Sequence, residues 1–146
     1  MLYNKEQVQE IIPHRGDMLL IDGIETIDEE NRKIIGFKQL TGEEFWVAGH
    51  FPQEAVMPGV LICETIAQTG AVYLLSHPDN KGKIAYFARM DKVRFRRKVV
   101  PGDRLRLEVD IDGNMRMGVG RGKGKAYVGD ELVCDLEMTF AVGEAE

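Results

Sequence analysis

The longest apolar segment of the chain runs from residue 59 to residue 75, with only a few polar residues inside it. When the segment is drawn as a helix, apolar residues occupy nearly every face, a pattern typical of a buried helix. Pro58 precedes the segment, and proline suits a first helical turn because it lacks an N–H. We therefore predict a long buried helix from Gly59 to Leu75. A short helix is predicted near the N-terminus, with Asn4 as its cap and Pro13 as its stop.

The other apolar segments are shorter and are separated by turn residues such as Pro101-Gly102-Asp103. They predict six strands, at 18–27, 33–41, 83–95, 104–111, 115–128 and 131–142. Strands that flank one long helix without regular βαβ alternation indicate an α+β fold. We expect an antiparallel sheet wrapped around the helix, with the strands that follow the helix arranged as a meander.

Composition narrows the class of protein. The 146 residues fit one domain, 1–146, and 19 Lys and Arg against 24 Asp and Glu give a net charge of −5, which disfavours nucleic-acid binding. Neither an apolar signal segment nor an apolar run long enough to span a membrane is present. Cys63 and Cys134 lie in apolar stretches, so we expect buried, reduced thiols in a cytoplasmic protein.

A carboxylate interrupts the predicted helix. Glu64 lies between apolar residues, where a charge is costly unless it is hydrogen-bonded, paired or protonated. These surroundings make Glu64 a candidate general acid, and Gln68, one turn later on the same face, is placed to orient it. Alternatively, this face of the helix simply meets solvent or a partner subunit.

A histidine precedes the helix in the segment Gly49-His50-Phe51-Pro52. A lone histidine in a loop is most often structural, but Phe45 and Trp46 give His50 an apolar setting in which a neutral imidazole can accept a proton. The other two histidines, His14 and His77, are weaker candidates.

The start of the helix offers hydrogen-bond donors. The amides of Gly59 and Val60 have no acceptor within a helix that begins there, and Gly59 has no side chain to cover them. Such amides can polarise a carbonyl or hold an oxyanion. The alternative is an ordinary helix that begins with proline.

Several segments together resemble the FabZ-type (3R)-hydroxyacyl-[acyl-carrier-protein] dehydratases. The resemblance covers nearly the whole chain and rests on Pro13-His14-Arg15, 19–22, His50-Phe51-Pro52, 56–62, Glu64, 67–68, 91–97 and 100–103. It implies a hotdog fold, in which a curved antiparallel sheet wraps one long helix. It also implies homodimers with active sites at the subunit interface, often assembled as trimers of dimers.

The same resemblance assigns chemistry to particular residues. His50 of one subunit and Glu64 of the other form the catalytic pair, with His50 removing the α proton and Glu64 protonating the departing β-hydroxyl. Gly59, Val60, Gln68 and Tyr86 contact the substrate, a 3-hydroxyacyl chain on the phosphopantetheine arm of acyl carrier protein. The resemblance implies neither a metal nor a redox cofactor, and the cysteines and histidines lack the spacing of metal ligands.

Two further patterns have an ordinary and a functional interpretation. Arg94, Arg96, Arg97 and Lys98 form a basic cluster, with Arg94 and Arg96 expected on one strand face. The cluster is either a solvated strand end or a docking surface for acidic acyl carrier protein. Glycines alternate from Gly118 to Gly124; without a following helix they do not indicate a phosphate loop, and on a strand they permit a close approach of either a helix or a neighbouring backbone.

The leading hypothesis is therefore a dehydratase that forms a trans-2-enoyl product. The glutamate at position 64 favours the FabZ type over the FabA type, which has aspartate there, although some FabZ-like enzymes also isomerise the product to the cis-3 form. A hotdog acyl thioesterase and a non-catalytic acyl-binding subunit are less favoured, because the chain carries both His50 and Glu64.

Overall fold

Two α-helices and six strands make up the computed structural model of the protein, which describes residues 1–113 and 117–144. The helices are α1 (Lys5–Ile11) and α2 (Gly59–Leu75). The strands are β1 (Gly23–Asp28), β2 (Lys33–Gln39), β3 (Ile84–Phe95), β4 (Arg104–Ile111), β5 (Val119–Val128) and β6 (Glu131–Gly143). The predicted bounds of α2 and β4 are confirmed, and Asn4 caps α1 by accepting a hydrogen bond from the amide of Gln7.

All six strands form one antiparallel sheet in the order β1-β2-β4-β5-β6-β3. The predicted meander is wrong for β3, which pairs with β6 at the sheet edge instead of with β4. The connection from β3 to β4 passes the start of α2, where Val99 is fully buried and its carbonyl accepts a hydrogen bond from Met57. Val99 thus anchors this connection in the core beside the start of α2.

Helix α2 fills the concave side of the sheet, as the α+β prediction requires. Every residue from Thr65 to Leu75 is buried, and the helix packs against β2, β3, β4, β5 and β6. Cys63 on α2 and Cys134 on β6 are both buried and free, which confirms the expectation for the two thiols. Within the described ranges, neither helix is long and apolar enough to cross a membrane.

The glycines of β5 explain how closely the helix approaches the sheet. Gly120, Gly122 and Gly124 face the core, while the charged residues between them face outward. A methyl group on Gly124 would collide with the Cγ2 atom of Ile66 on α2. Close approach of the helix therefore accounts for Gly124. A Cβ atom on Gly122 would instead meet the backbone carbonyl of Asp110 on the neighbouring strand β4.

Strand β5 is shorter than predicted. It begins at Val119, and Gly118 lies in a turn with a φ of 77°, so Gly118 does not belong to the alternating set. Residues 115 and 116 of the predicted strand, and residue 114 of the predicted turn before it, lie outside the described residues.

The segment predicted as the start of the first strand is also different. Residues Gly16–Met18 form a 3-10 turn, and β1 begins only at Gly23. The apolar residues between them are buried, but their backbone does not pair with a strand. The side chain of Gln68 bonds the carbonyl of Met18 and the amide of Leu20 instead.

Candidate active site

His50 lies in the loop before α2 and is held by three hydrogen bonds. Its amide donates to the carbonyl of Trp46, and its carbonyl accepts from the amide of Val56. The ring Nδ1 lies 2.8 Å from the carbonyl oxygen of Val56. A carbonyl oxygen only accepts hydrogen bonds, so Nδ1 carries the proton and Nε2 of the neutral ring is the acceptor. The loop therefore presents His50 as a base.

The half-buried ring of His50 borders an open, mainly apolar groove of about 530 Å³. Phe51 stacks on the imidazole with the ring centroids 4.0 Å apart. Val60 and Phe95 line the groove or its rim, and their side chains are exposed in the single chain. His50 thus has an apolar setting, but Val60 and Phe95 supply it, whereas the predicted Phe45 and Trp46 line a different pocket.

The first turn of α2 supplies uncommitted donors beside this groove. The amides of Leu61 and Ile62 bond the carbonyl of Pro58, whereas those of Gly59 and Val60 make no hydrogen bond within the described part of the chain. A Cβ atom on Gly59 would come within 2.7 Å of the Phe95 ring. The absence of a side chain at Gly59 lets the Phe95 ring pack directly on the backbone of the first turn.

Glu64 lies one turn further along α2, with a side chain that is 25% exposed. Its Oε2 atom accepts a hydrogen bond of 2.8 Å from Nε2 of Gln68 and lies 3.6 Å from Nε2 of His14. Neither contact uses Oε1. The protein therefore holds one oxygen of the carboxyl group and leaves the other for chemistry.

Gln68 is fully buried and orients Glu64, as the sequence predicts. Its Nε2 also donates to the carbonyl of Met18, and its Oε1 accepts from the amide of Leu20. All of its polar atoms are engaged, and the side chain has no exposed surface in the single chain. The direct substrate contact assigned to Gln68 is therefore replaced by a positioning contact with Glu64.

His14 is the residue of this site that sequence reasoning missed. It lies in the loop between α1 and β1, far from Glu64 in sequence, and only the fold brings the two side chains together. A signal was present, since Pro13-His14-Arg15 is among the segments that carry the family resemblance. Without the fold, a histidine after a proline had no visible partner.

His50 and Glu64 do not meet in the single chain. Among the described residues, no hydrogen bond or ion pair joins them, and Glu64 is not among the residues that line the His50 groove. The two candidate catalytic groups thus lie on the same end of α2 but in separate surroundings.

Tyr86 lies on the edge strand β3 and is 50% exposed. Most of β3 is exposed along its length, including Val93 and Phe95. An exposed strand edge with apolar side chains is a surface on which another strand can pair. The surroundings of Tyr86 are therefore open in the single chain.

The basic cluster differs from the prediction in the pairing of its charges. Arg94 lies in β3 and Arg96 follows directly after its end, and both side chains line one pocket beside Asp135. Three of the four side chains also form ion pairs: Arg96 with Asp135, Arg97 with Asp103 and Glu131, and Lys98 with Glu54. Arg94 is exposed and has no such partner among the described residues.

The two buried thiols are not accessible groups of this site. The contact with Cys63, together with burial, raises the pKa of the Cys134 thiol far above its ordinary value, whereas the same contact lowers the pKa of the Cys63 thiol. The Cys134 thiol therefore stays protonated, which makes it a poor nucleophile. Cys63, although it adjoins Glu64 in sequence, faces the core.

A family model described as a FabA-like domain matches residues 12–137 of the chain. A 3-hydroxyacyl-[acyl-carrier-protein] dehydratase FabZ of Staphylococcus epidermidis is 50% identical over 144 residues, covering 99% of this chain and 98% of that protein. The protein of the same name from Staphylococcus aureus is 48% identical over 145 residues, with the same coverage of both chains.

Solved structures share the fold at low sequence identity. The dehydratase heterocomplex ApeI:P from Xenorhabdus doucetiae aligns with a TM-score of 0.79 at 13% identity, covering 94% of this chain and 91% of that one. A putative thioesterase of Ralstonia eutropha aligns with a TM-score of 0.64 at 16% identity, covering 81% and 82%. These similarities confirm the hotdog architecture, which dehydratases and thioesterases have in common.

Proposed function

Because the chain belongs to the FabA-like family of dehydratases, we propose that it removes water from (3R)-3-hydroxyacyl chains on acyl carrier protein and forms the trans-2-enoyl product. The similarity to FabZ dehydratases over almost the full length of both chains carries this proposal. The substrate is attached through the phosphopantetheine arm of the carrier. The place of the reaction is fatty acid synthesis in the cytoplasm.

His50 is the general base of the proposed reaction. The bond from Nδ1 to the Val56 carbonyl supports this role because it leaves Nε2 as the acceptor. Nε2 takes the proton from the carbon next to the thioester carbonyl. A positioned general base contributes about 10²- to 10⁴-fold to a rate.

Glu64 is the general acid. The β carbon–oxygen bond breaks as Glu64 protonates the hydroxyl group, which leaves as water, and the electrons of the α C–H bond form the new double bond. The contact of Oε2 with Gln68 supports this role, since it leaves Oε1 for the substrate hydroxyl. One side chain accepts a proton and the other gives one, so this mechanism calls for neither a metal nor a redox cofactor.

The amides of Gly59 and Val60 polarise the thioester carbonyl. Negative charge develops on that oxygen when the α proton leaves, and the uncommitted donors of the first turn of α2 lie beside the His50 groove. One such donor is worth about 3 kcal/mol in related sites. Their contribution is comparable with that of either side chain.

The working unit is a homodimer in which His50 of one subunit faces Glu64 of the other. The separation of the two groups in the single chain supports this arrangement, as do the unpaired edge of β3 and the exposed side chains of Val60 and Phe95. Tyr86, on the same edge strand, then lines the acyl tunnel. Three dimers assemble further into a hexamer of about six times the 16.5 kDa chain mass.

Acyl carrier protein docks on the basic cluster through Arg94, Arg96, Arg97 and Lys98. Arg96, Arg97 and Lys98 border the His50 groove, which supports docking at the entrance of the site. Their ion pairs within the chain reduce the net charge offered, so Arg94 makes the strongest contribution. Docking of this kind weakens as salt concentration rises.

The proposal is tested by following a 3-hydroxydecanoyl chain on acyl carrier protein, with product analysis that separates trans-2 from cis-3 isomers. We expect water elimination to the trans-2 product by the wild type, and a loss of about 10²-fold or more in kcat for His50→Ala and for Glu64→Gln. Release of free thiol from the substrate, without the enoyl product, would instead identify a thioesterase. Undiminished turnover by both variants would refute the residue assignment.

A further inference from the structure

One nitrogen of His14 is buried without a partner, while the other faces Glu64. Nδ1 has no accessible surface and no hydrogen bond within the described residues. Nε2 lies 3.6 Å from Oε2 of Glu64, and the two side chains are 23% and 25% exposed. The unpaired Nδ1 is unusual because a buried ring nitrogen normally finds a hydrogen-bond partner.

The buried nitrogen determines the tautomer of the neutral ring. A proton on Nδ1 would be an unpaired donor away from water, whereas a proton on Nε2 points at a carboxyl oxygen. We therefore assign the Nε2–H tautomer to His14. The distance of 3.6 Å is somewhat longer than a hydrogen bond, as catalytic contacts often are before substrate binds.

Two anchors hold His14 beside Glu64. On one side, the guanidinium group of Arg15 bonds the carbonyls of Gln9, Ile12 and His14 and so ties the loop to the end of α1. On the other side, Gln68 bonds the backbone of Met18 and Leu20. The guanidinium group of Arg15 is engaged by these carbonyls and makes no contact with Glu64 among the described residues. His14 and Gln68 are therefore the described groups that face Oε2 of Glu64.

We propose that His14 is a positioning residue. Its Nε2–H group donates a hydrogen bond to Oε2 of Glu64 as the carboxylate forms. The inference rests on the proposed function, in which Glu64 gives its proton from Oε1 to the departing hydroxyl group. The electrons of that O–H bond remain on the carboxyl group, and Oε2 shares the resulting charge. His14 keeps its own proton throughout and strengthens its bond to Oε2 at the moment when charge appears there.

The test compares His14→Phe, which removes the donor and keeps a ring, with His14→Gln, which places an N–H near the position of Nε2. We expect His14→Phe to lower kcat about 10- to 100-fold with KM changed less than about twofold, since hydrogen bonds to charged groups are of that strength. His14→Gln recovers most of the lost kcat. The matched control is His77→Phe, because His77 also faces a carboxylate, with Nε2 3.5 Å from Glu29, but lies after the other end of α2. We expect its kcat to equal that of the wild type.

A double-mutant comparison separates this inference from the proposed function. If His14 acts through Glu64, His14→Phe has little further effect in a Glu64→Gln background. An active wild type whose kcat is unchanged by His14→Phe would overturn the role of His14 alone. A wild type that eliminates no water would overturn both proposals.

A measurement on the wild type guards against a variant that fails to fold. Nitrogen NMR of the imidazole rings distinguishes protonated from unprotonated ring nitrogens, and the His14 ring is assigned in the wild type through its correlations to the backbone of the same residue. We expect Nε2 protonated and Nδ1 unprotonated when the ring is neutral. The opposite tautomer would overturn the proposal.

Discussion

The two ends of α2 differ in burial and in hydrogen bonding, although apolar residues occur along its whole length. From Thr65 to Leu75, the sealed end, every side chain is buried under the sheet, and Gly124 lets the sheet approach Ile66 without a gap. From Pro58 to Glu64, the open end, Val60 is 75% exposed and the first amides have no acceptor in the described residues.

One end of the helix therefore contributes to the stability of the single chain, and the other end carries the candidate catalytic groups. The sealed end is covered within a single chain, by the sheet together with α1 and the segment around Met18 and Leu20. The open end presents apolar side chains, amides without an acceptor among the described residues, and the candidate acid Glu64. In the proposed dimer, a second copy and the substrate cover this end, so the helix is a core element at one end and part of the proposed shared site at the other.

Val60→Asp tests the open end and should have the largest effect. An unpaired charge at a buried contact costs about 3–5 kcal/mol, so we expect the dimer dissociation constant to rise about 100-fold or more and turnover to fall with it. Sedimentation velocity measures the association, and circular dichroism should show an unchanged fold. Met117→Asp is the control, because Met117 is also an exposed apolar residue but lies in the turn before β5. A Val60→Asp protein that dimerises like the wild type would contradict the assignment of the open end to the interface.

Gly124→Ala tests the sealed end. Its methyl group would collide with Ile66, and overpacking of this kind lowers the free energy of unfolding by about 1–3 kcal/mol. Urea denaturation measures the change. Gly143→Ala on β6 is the matched control, since nothing lies within 4 Å of its Cβ position. Equal stability of the two variants would show that the helix does not approach β5 as closely as described.

Arg94→Ala tests the docking surface next to the open end, and we expect the smallest effect. Loss of one exposed charge should raise KM for the carrier-bound substrate about two- to fivefold without changing kcat. The same substrate on coenzyme A should be unaffected, as should the Lys81→Ala variant, which alters an exposed lysine after the sealed end. A rise in KM that is equal for both substrates would place Arg94 in the acyl site instead of the docking surface.

Local patterns predicted the helix α2 and the strand β4 well. Pro58 and the long apolar segment define α2, and the alternation of apolar residues defines β4, because these signals lie within a few neighbouring residues. The segment from Leu19 to Ile21 has the same apolar character as a strand, yet Gln68 bonds the backbone of Leu20 and of the preceding Met18. These hydrogen bonds depend on a residue about 50 positions away, which no local pattern reveals.

The candidate site was predicted only where its residues adjoin in sequence. His50, Gly59 and Glu64 lie within fifteen positions, and the family resemblance named them. The contact of His14 with Glu64 and the ion pair of Arg96 with Asp135 arise from long-range folding. The first adds a residue to the site, and the second reduces the charge of a cluster that looked wholly basic in the sequence.

The central claim is that each active site is shared between two chains, and mixing two inactive variants tests it most directly. His50→Ala and Glu64→Gln are co-expressed in equal amounts and assayed for water elimination. Random pairing makes half of the dimers hybrids, and each hybrid holds one site with both residues intact, so we predict recovery of about one quarter of the wild-type rate per chain. If each chain carried its own complete site, every site would lack one residue. The mixture would then be as inactive as either variant alone, and that result would contradict the account.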